Sequence, residues 1–259
     1  MSETLLTAAP VQPVPETGTI DLWWLPYFDL EALVPIARAA LSDTEWQRAE
    51  RFKLARVRNA FLFYRLALRA CLARYAGIAP RDVPLEVTST GKPSWERPIN
   101  GMRLEFNLSH TATCGLLAVT GEGQVGVDLE DLDPRTDVHL LAREVFSIAE
   151  QREFEGLPSD QQPEFLLRVW TCKEAFLKAK GIGLAVLLRD VTIERPLSTA
   201  PRVVAPSEME ENCKAWWLAS WAPQPGRFAA VAYRGVAGEI IIRESDATPL
   251  LRDMLTARR

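Results

Sequence analysis

Two acidic side chains set two residues apart, Asp128 and Glu130 in Val127-Asp128-Leu129-Glu130, are where residue type and spacing first suggest chemistry. On a strand, the period of two turns both carboxylates to one face, so that they converge on one spot. One or two carboxylates, with the other positions left to water and phosphate oxygens, form the ligand set magnesium takes. The same pattern also suits a solvated acidic strand end, since Asp131 and Asp133 follow. A further carboxylate comes from Trp170-Thr171-Cys172-Lys173-Glu174-Ala175-Phe176-Leu177-Lys178. On a helix, Glu174 and Lys178 stand at i and i+4 and share a face, as a surface salt bridge or as a third carboxylate beside a cation for phosphate. Trp170 and Phe176 are large enough to anchor that helix on a core.

Asn107-Leu108-Ser109-His110 is a polar set closing an apolar segment, and His110 is one of two histidines, with His139 on a predicted helix. A serine hydroxyl and an imidazole at a strand end can both donate to phosphate oxygens; a capped loop is the alternative. Gly91-Lys92-Pro93 delivers a lysine from a glycine turn and by itself reads as a loop.

These residues need elements to position them. Residues 1–19 carry Pro10, Pro13 and Pro15 without a basic or sustained apolar run, which excludes a signal peptide and suggests a disordered leader. Residues 19–26 alternate as a strand, and a helix is expected from about Leu30 to Ala40. Ser42 or Asp43, with Glu45, then starts a helix expected to run unbroken to about Tyr75, stopped by Gly77 and rich in arginine, including Arg48, Arg56, Arg58 and Arg65. Residues 104–108, 115–120 and 124–129 read as strands, the last two joined by Gly121-Glu122-Gly123 as a hairpin. A helical region from Val138 to about Gly181, broken near Pro158 and Pro163, precedes strands at 191–194, 215–221, 227–233 and 239–243 and a short last helix. The order is that of an α+β protein with two similar halves, 20–121 and 122–259, meeting near Gly121.

Composition narrows the function classes. The chain has 259 residues, 47% hydrophobic, so it can bury a large core, and its net charge of −4 gives it no general attraction to nucleic acid or acidic lipid. The four cysteines, Cys71, Cys114, Cys172 and Cys213, form no C-x-x-C pair, which suits a reducing cytoplasm better than a zinc site or a disulfide framework. No apolar run is long enough to span a membrane.

Taken in order, G-K-P at Gly91, N-L-S-H at Asn107, V-G-V-D-L-E at Val125 and W-T-C-K-E-A-F-L-K at Trp170 resemble the successive signatures of the Sfp-type 4'-phosphopantetheinyl transferase superfamily. The basic, aromatic stretch with Arg51-Phe52, Phe61-Leu62, Arg65 and Leu68-Arg69 adds to the likeness, which spans about Arg48 to Gly183. The resemblance implies a monomer of two pseudo-symmetric α+β halves with the site at their interface. It implies magnesium, with manganese as a substitute, bound by Asp128, Glu130 and Glu174, and coenzyme A phosphates held by Lys92, Ser109, His110 and Lys178. Arg48 would contact the nucleotide; a lysine that some members carry three residues before it is Glu45 in this chain. The implied reaction transfers the 4'-phosphopantetheine of coenzyme A to a serine of an apo acyl carrier protein or of a peptidyl or polyketide carrier domain, releasing 3',5'-adenosine bisphosphate. Glu174 and Lys178 are the expected catalytic residues, Glu174 as general base, directly or through a metal-bound water. A magnesium-dependent nucleotide hydrolase and a coenzyme A-binding module without chemistry are the rival readings.

Overall fold

A computed structural model describes residues 11–28, 33–88, 91–95, 98, 103–182, 187–204, 216–235 and 239–256. β1 (Thr19–Pro26) begins after Gly18, whose φ of 79° turns the chain into the strand. α1 (Leu33–Ala40), α2 (Asp43–Glu50) and α3 (Ala55–Ala76) follow, then β2 (Leu85–Val87) and β3 (Pro93–Trp95) as a small ribbon. β4 (Glu105–His110), β5 (Cys114–Thr120) and β6 (Gln124–Asp131) lead into α4 (Val138–Val145), α5 (Ile148–Glu155) and α6 (Gln162–Lys180). A second ribbon, β7 (Thr192–Glu194) with β8 (Arg202–Val204), precedes β9 (Trp217–Gln224), β10 (Arg227–Arg234), β11 (Ile241–Asp246) and α7 (Thr248–Thr256).

The fold is α+β, built on two sheets of order β11-β1-β5-β4 and β6-β10-β9. Leu22, Leu116 and Ala118 of the first pack against Val125, Val127 and Val231 of the second, forming a buried layer between them. α3 covers the first sheet with Phe63, Leu66 and Leu68, and α6 covers the second with Phe165, Val169 and Phe176. Because β6 alternates, the face opposite Val125, Val127 and Leu129 belongs to Gly126, Asp128 and Glu130 and is turned to α6.

Several expectations are corrected. β5 and β6 are not a hairpin: β5 already has β1 on one edge and β4 on the other, so the chain changes sheet at Gly121–Gly123 and β6 pairs with β10. The helix expected from residue 42 to 75 is two helices, parted at residues 51–54. Phe52 and Phe61, nine residues apart, would stand about 14 Å apart along one helix, yet their ring centroids are 5.4 Å apart because the chain doubles back between them. Pro163 lies in the first turn of α6, where its missing N–H costs nothing, whereas an unexpected break falls at Ser147, which with Glu150 forms the capping box of α5. Residues 11–18 do not behave as a free leader: Gln12 Nε2 donates to Asp21 Oδ2 at 3.0 Å, its backbone N–H donates to Arg74 O, and Val14 packs on the first core. Residues 1–10, the first turn of the helix expected from Leu30, Gly183 to Val186 and Cys213 lie outside the described residues.

β11 runs parallel to β1, with Thr19 opposite Ile241, and Ala247 and Leu251 enter the core beneath α3. Residues 241–256 therefore sit with the elements of segment 20–121, although they follow the second sheet in sequence. Among the described residues no helix is long and apolar enough to cross a membrane, and Cys71, Cys114 and Cys172 are buried free thiols.

One buried ion pair locks α6 to its surroundings. Lys173 Nζ donates to Glu150 Oε2 at 2.5 Å and to Val145 O at 2.7 Å, while Glu150 Oε1 accepts from Ile193 N at 2.6 Å. Burial disfavours the Lys173 ammonium, and the Glu150 charge together with its hydrogen bond opposes that shift. Lys173→Met strands the Glu150 carboxylate and is expected to lower the free energy of unfolding by about 3–5 kcal/mol in denaturant titrations.

Candidate active site

The site is set by how closely β6 lies on α6. A Cβ on Gly126 would run into Ala175 O and stand 2.5 Å from Ala179 N, so only glycine allows the strand to meet the helix backbone at this point. The contact places Asp128 and Glu130, one and two strand periods further along β6, opposite Glu174 and Lys178 on α6. β4 closes the third side. Asn107 Oδ1 accepts the N–H of Val127 at 2.9 Å, a side-chain hydrogen bond that ties β4 to β6 although the two strands belong to different sheets.

Asp128 is 1% exposed, and two groups meet at it. Lys178 Nζ donates to Asp128 Oδ1 at 2.5 Å and to Ser109 Oγ at 3.1 Å, and Ser109 Oγ donates to Asp128 Oδ1 at 2.8 Å. The other carboxylate oxygen, Oδ2, is buried with no hydrogen-bond partner among the described residues. The cleft is about 420 Å³, lined by Leu108, Ser109, His110, Asp128, Glu130, Trp170, Glu174 and Lys178.

Burial first, and neighbouring charge second, shift the ionisation of these groups. Burial, then the neighbouring Asp128, raises Glu130 to about 7, with Lys178 pulling against them. Burial also raises Glu174, again opposed by Lys178. His110 is lowered by burial and by the Lys178 ammonium, and Lys92 is lowered by burial.

Six of the eight residues singled out in the sequence thus meet in one cleft: Ser109, His110, Asp128, Glu130, Glu174 and Lys178. Lys92 does not line it. Its Nζ donates to Lys178 O at 2.9 Å, reaching from the β3 side to the last turn of α6. Arg48 does not line it either; its guanidinium stands 5.5 Å from the Phe61 ring centroid, with Arg65 on the same ring at 5.4 Å. Glu45, which replaces the lysine found in some family members, accepts from Arg69 Nε at 2.7 Å and from the Ser42 N–H, so this position is a buried structural carboxylate. The role of Asn107 escaped sequence reasoning, because a side chain bridging two sheets leaves no periodic signal. Trp170, read as an anchor, also borders the cleft.

Among the described residues no three acidic, histidine or cysteine side chains close up into a finished ion cage, and Lys178 stands against Asp128. The donor set still suits a hard divalent cation: three carboxylates border one cleft and a buried oxygen of Asp128 is unsatisfied.

Two family models match the chain: 4'-phosphopantetheinyl transferase, N-terminal, over residues 29–122, and 4'-phosphopantetheinyl transferase superfamily over residues 124–232. The 4'-phosphopantetheinyl transferase HetI of Nostoc sp. is 36% identical over 216 residues, 83% of this chain and 88% of its own. The chain belongs to the 4'-phosphopantetheinyl transferase superfamily. It is an enzyme that transfers the 4'-phosphopantetheine of coenzyme A to a carrier-protein serine. The 4'-phosphopantetheinyl transferase AcpT of Escherichia coli is 42% identical over 116 residues, 45% of this chain and 56% of its own. The solved holo-[acyl-carrier-protein] synthase of Thermotoga maritima aligns over 45% of this chain and 65% of that one, with a TM-score of 0.36 and 20% identity.

A carboxyl raised in the fold binds protons that the unfolded chain has released, so its unfavourable contribution is absent below the ordinary glutamate range and complete above pH 7. Glu130→Gln is therefore expected to leave stability unchanged near pH 4 and to raise the unfolding free energy at pH 8, in the presence of a chelator, by about 1–2 kcal/mol. Thermal unfolding across that pH range measures it.

Proposed function

We propose that the cleft between β4, β6 and α6 is the transfer site, with Asp128, Glu130 and Glu174 holding magnesium, or manganese in its place. The observation that carries this reading is the meeting of three carboxylates, one of them with a buried unsatisfied oxygen, with one lysine and one serine hydroxyl. The bound ion would neutralise pyrophosphate charge and steady the leaving group.

Lys178 and Ser109, linked to each other and to Asp128 in the wall of the cleft, would supply donors to the coenzyme phosphates, and His110 borders the same space. Lys92 holds the last turn of α6; on the strength of the motif likeness it is assigned to the coenzyme A phosphates, and Arg48 to the nucleotide. The carrier serine oxygen attacks the phosphorus that bears pantetheine, and the bond from that phosphorus to 3',5'-adenosine bisphosphate breaks. Glu174 takes the serine proton, directly or through water; burial, which raises its pKa, makes it a better base than an exposed carboxylate. Lys178, 30% exposed at its side chain, offsets the charge that gathers on the leaving group.

The partner is an apo acyl carrier protein or a peptidyl or polyketide carrier domain. Nucleic acid and membranes have no part in the reaction, and the protein works as a cytoplasmic monomer. With a net charge of −4, docking depends on a local patch rather than on the whole-molecule field.

Purified protein incubated with magnesium, coenzyme A and apo-carrier is expected to add one phosphopantetheine, about 340 Da as a covalent modification, to the intact carrier mass. Asp128→Ala and Glu174→Ala are expected to abolish the gain. Coenzyme A cleaved without a modified carrier would favour a hydrolase, and coenzyme A bound without any product would favour a binding module.

A further inference from the structure

Tyr64 takes no part in the chemistry assigned above, yet His110 rests on it. Tyr64 projects from α3 and is 2% exposed. The His110 imidazole lies flat against its ring, with centroids 4.1 Å apart and planes 11° from parallel. Tyr64 OH donates to Thr111 O at 3.3 Å, and His110 Nδ1 lies 3.2 Å from the same oxygen. A carbonyl oxygen can only accept, so in that hydrogen bond Nδ1 carries the proton and Nε2 is the acceptor of the neutral ring.

Two further features fix the stack. Gly115 is the β5 residue paired with His110, and a Cβ there would come 2.8 Å from Tyr64 Cε1, so the bare backbone leaves the room in which the phenol ring lies. The turn carrying Thr111 is tied down from the second sheet, because Thr113 Oγ1 donates to Asp131 Oδ2 at 3.3 Å and Arg227 donates to both residues. His110 is thus held on one ring face by α3 and at Nδ1 by its own turn. Nε2 has no hydrogen-bond partner among the described residues, and the ring borders the cleft.

We infer that Tyr64 is a positioning residue that, with the space left by Gly115, fixes His110 in one orientation and one tautomer, offering Nε2 to the substrate. In the neutral ring Nε2 accepts from a hydroxyl. The kinetic consequence rests on the proposed assignment of the cleft; the tautomer belongs to the free protein and does not.

The chain has two histidines, His110 and His139, so long-range proton–nitrogen spectra of ¹⁵N-labelled protein at pH 8 can be assigned by one His139→Gln variant. His110 is expected as a single Nδ1–H tautomer in the wild type and in Tyr64→Phe, which keeps the stack, and as a mixture in Tyr64→Leu. With coenzyme A varied, Tyr64→Leu is expected to raise KM about tenfold with kcat within about twofold, and Tyr64→Phe to recover most of the loss. An Nε2–H or mixed tautomer in the wild type overturns the inference, as does a folded Tyr64→Leu with unchanged tautomer and KM. Should Tyr64→Leu fail to fold, Tyr64→Met, which keeps bulk but removes the aromatic stack, takes its place in both measurements. A wild type without transfer activity would refute the cleft assignment and leave the spectra to judge the role of Tyr64.

Discussion

The site depends on one contact, Lys178 Nζ against Asp128 Oδ1 at 2.5 Å. Asp128 is buried, and a buried carboxylate without a partner would destabilise the strand that carries it. The lysine that satisfies it stands on α6, so the pair joins helix to strand and draws Ser109 of β4 into the same set of hydrogen bonds. Other contacts bring the two groups within reach. Gly126 lets β6 approach α6 closely, Asn107 pins β4 beside β6, and Lys92 holds the end of α6 from the opposite side.

Burying carboxylates together in one cleft opposes folding, and burial accordingly raises the pKa of both Glu130 and Glu174. The surrounding fold supplies the stability to hold it. Three apolar clusters flank the site: one under α3, one under α6 and one between the sheets. The Lys173–Glu150 pair, adjacent in sequence to Glu174, fixes α6 from its buried side, so the rotation of Glu174 and Lys178 toward the cleft is settled by contacts outside it. Buried charge gathers where phosphate and metal chemistry is expected, and the compensating contacts lie one layer away.

Much of the site was legible because it rests on local periodicity. Two carboxylates at strand spacing and a glutamate and lysine at helix spacing face one cleft, and β1 occupies the residues its alternation predicts. What the sequence hid are relations between distant segments. Gly121–Gly123 has the composition of a hairpin turn, but the choice of partner for β6 was made by β1, which had already taken the free edge of β5. The turn at residues 51–54 is driven by packing of Phe52 on Phe61, and the order of residues 11–18 by Gln12 meeting Asp21. Arg48 reads as a ligand of the nucleotide from its motif alone; in the fold its guanidinium lies by the Phe61 ring, and its neighbour Glu45 is held by Arg69 and the α2 cap.

The most direct test of this account is a double-mutant cycle on the contact at its centre. Asp128→Asn, Lys178→Met and the two together would be compared in kcat/KM for carrier modification. If the pair acts as one unit, the double variant should lose little more than the worse single variant, with a coupling of about 2 kcal/mol or more. Losses that add, within about 0.5 kcal/mol, would mean that Asp128 and Lys178 act independently and that this contact does not organise the site.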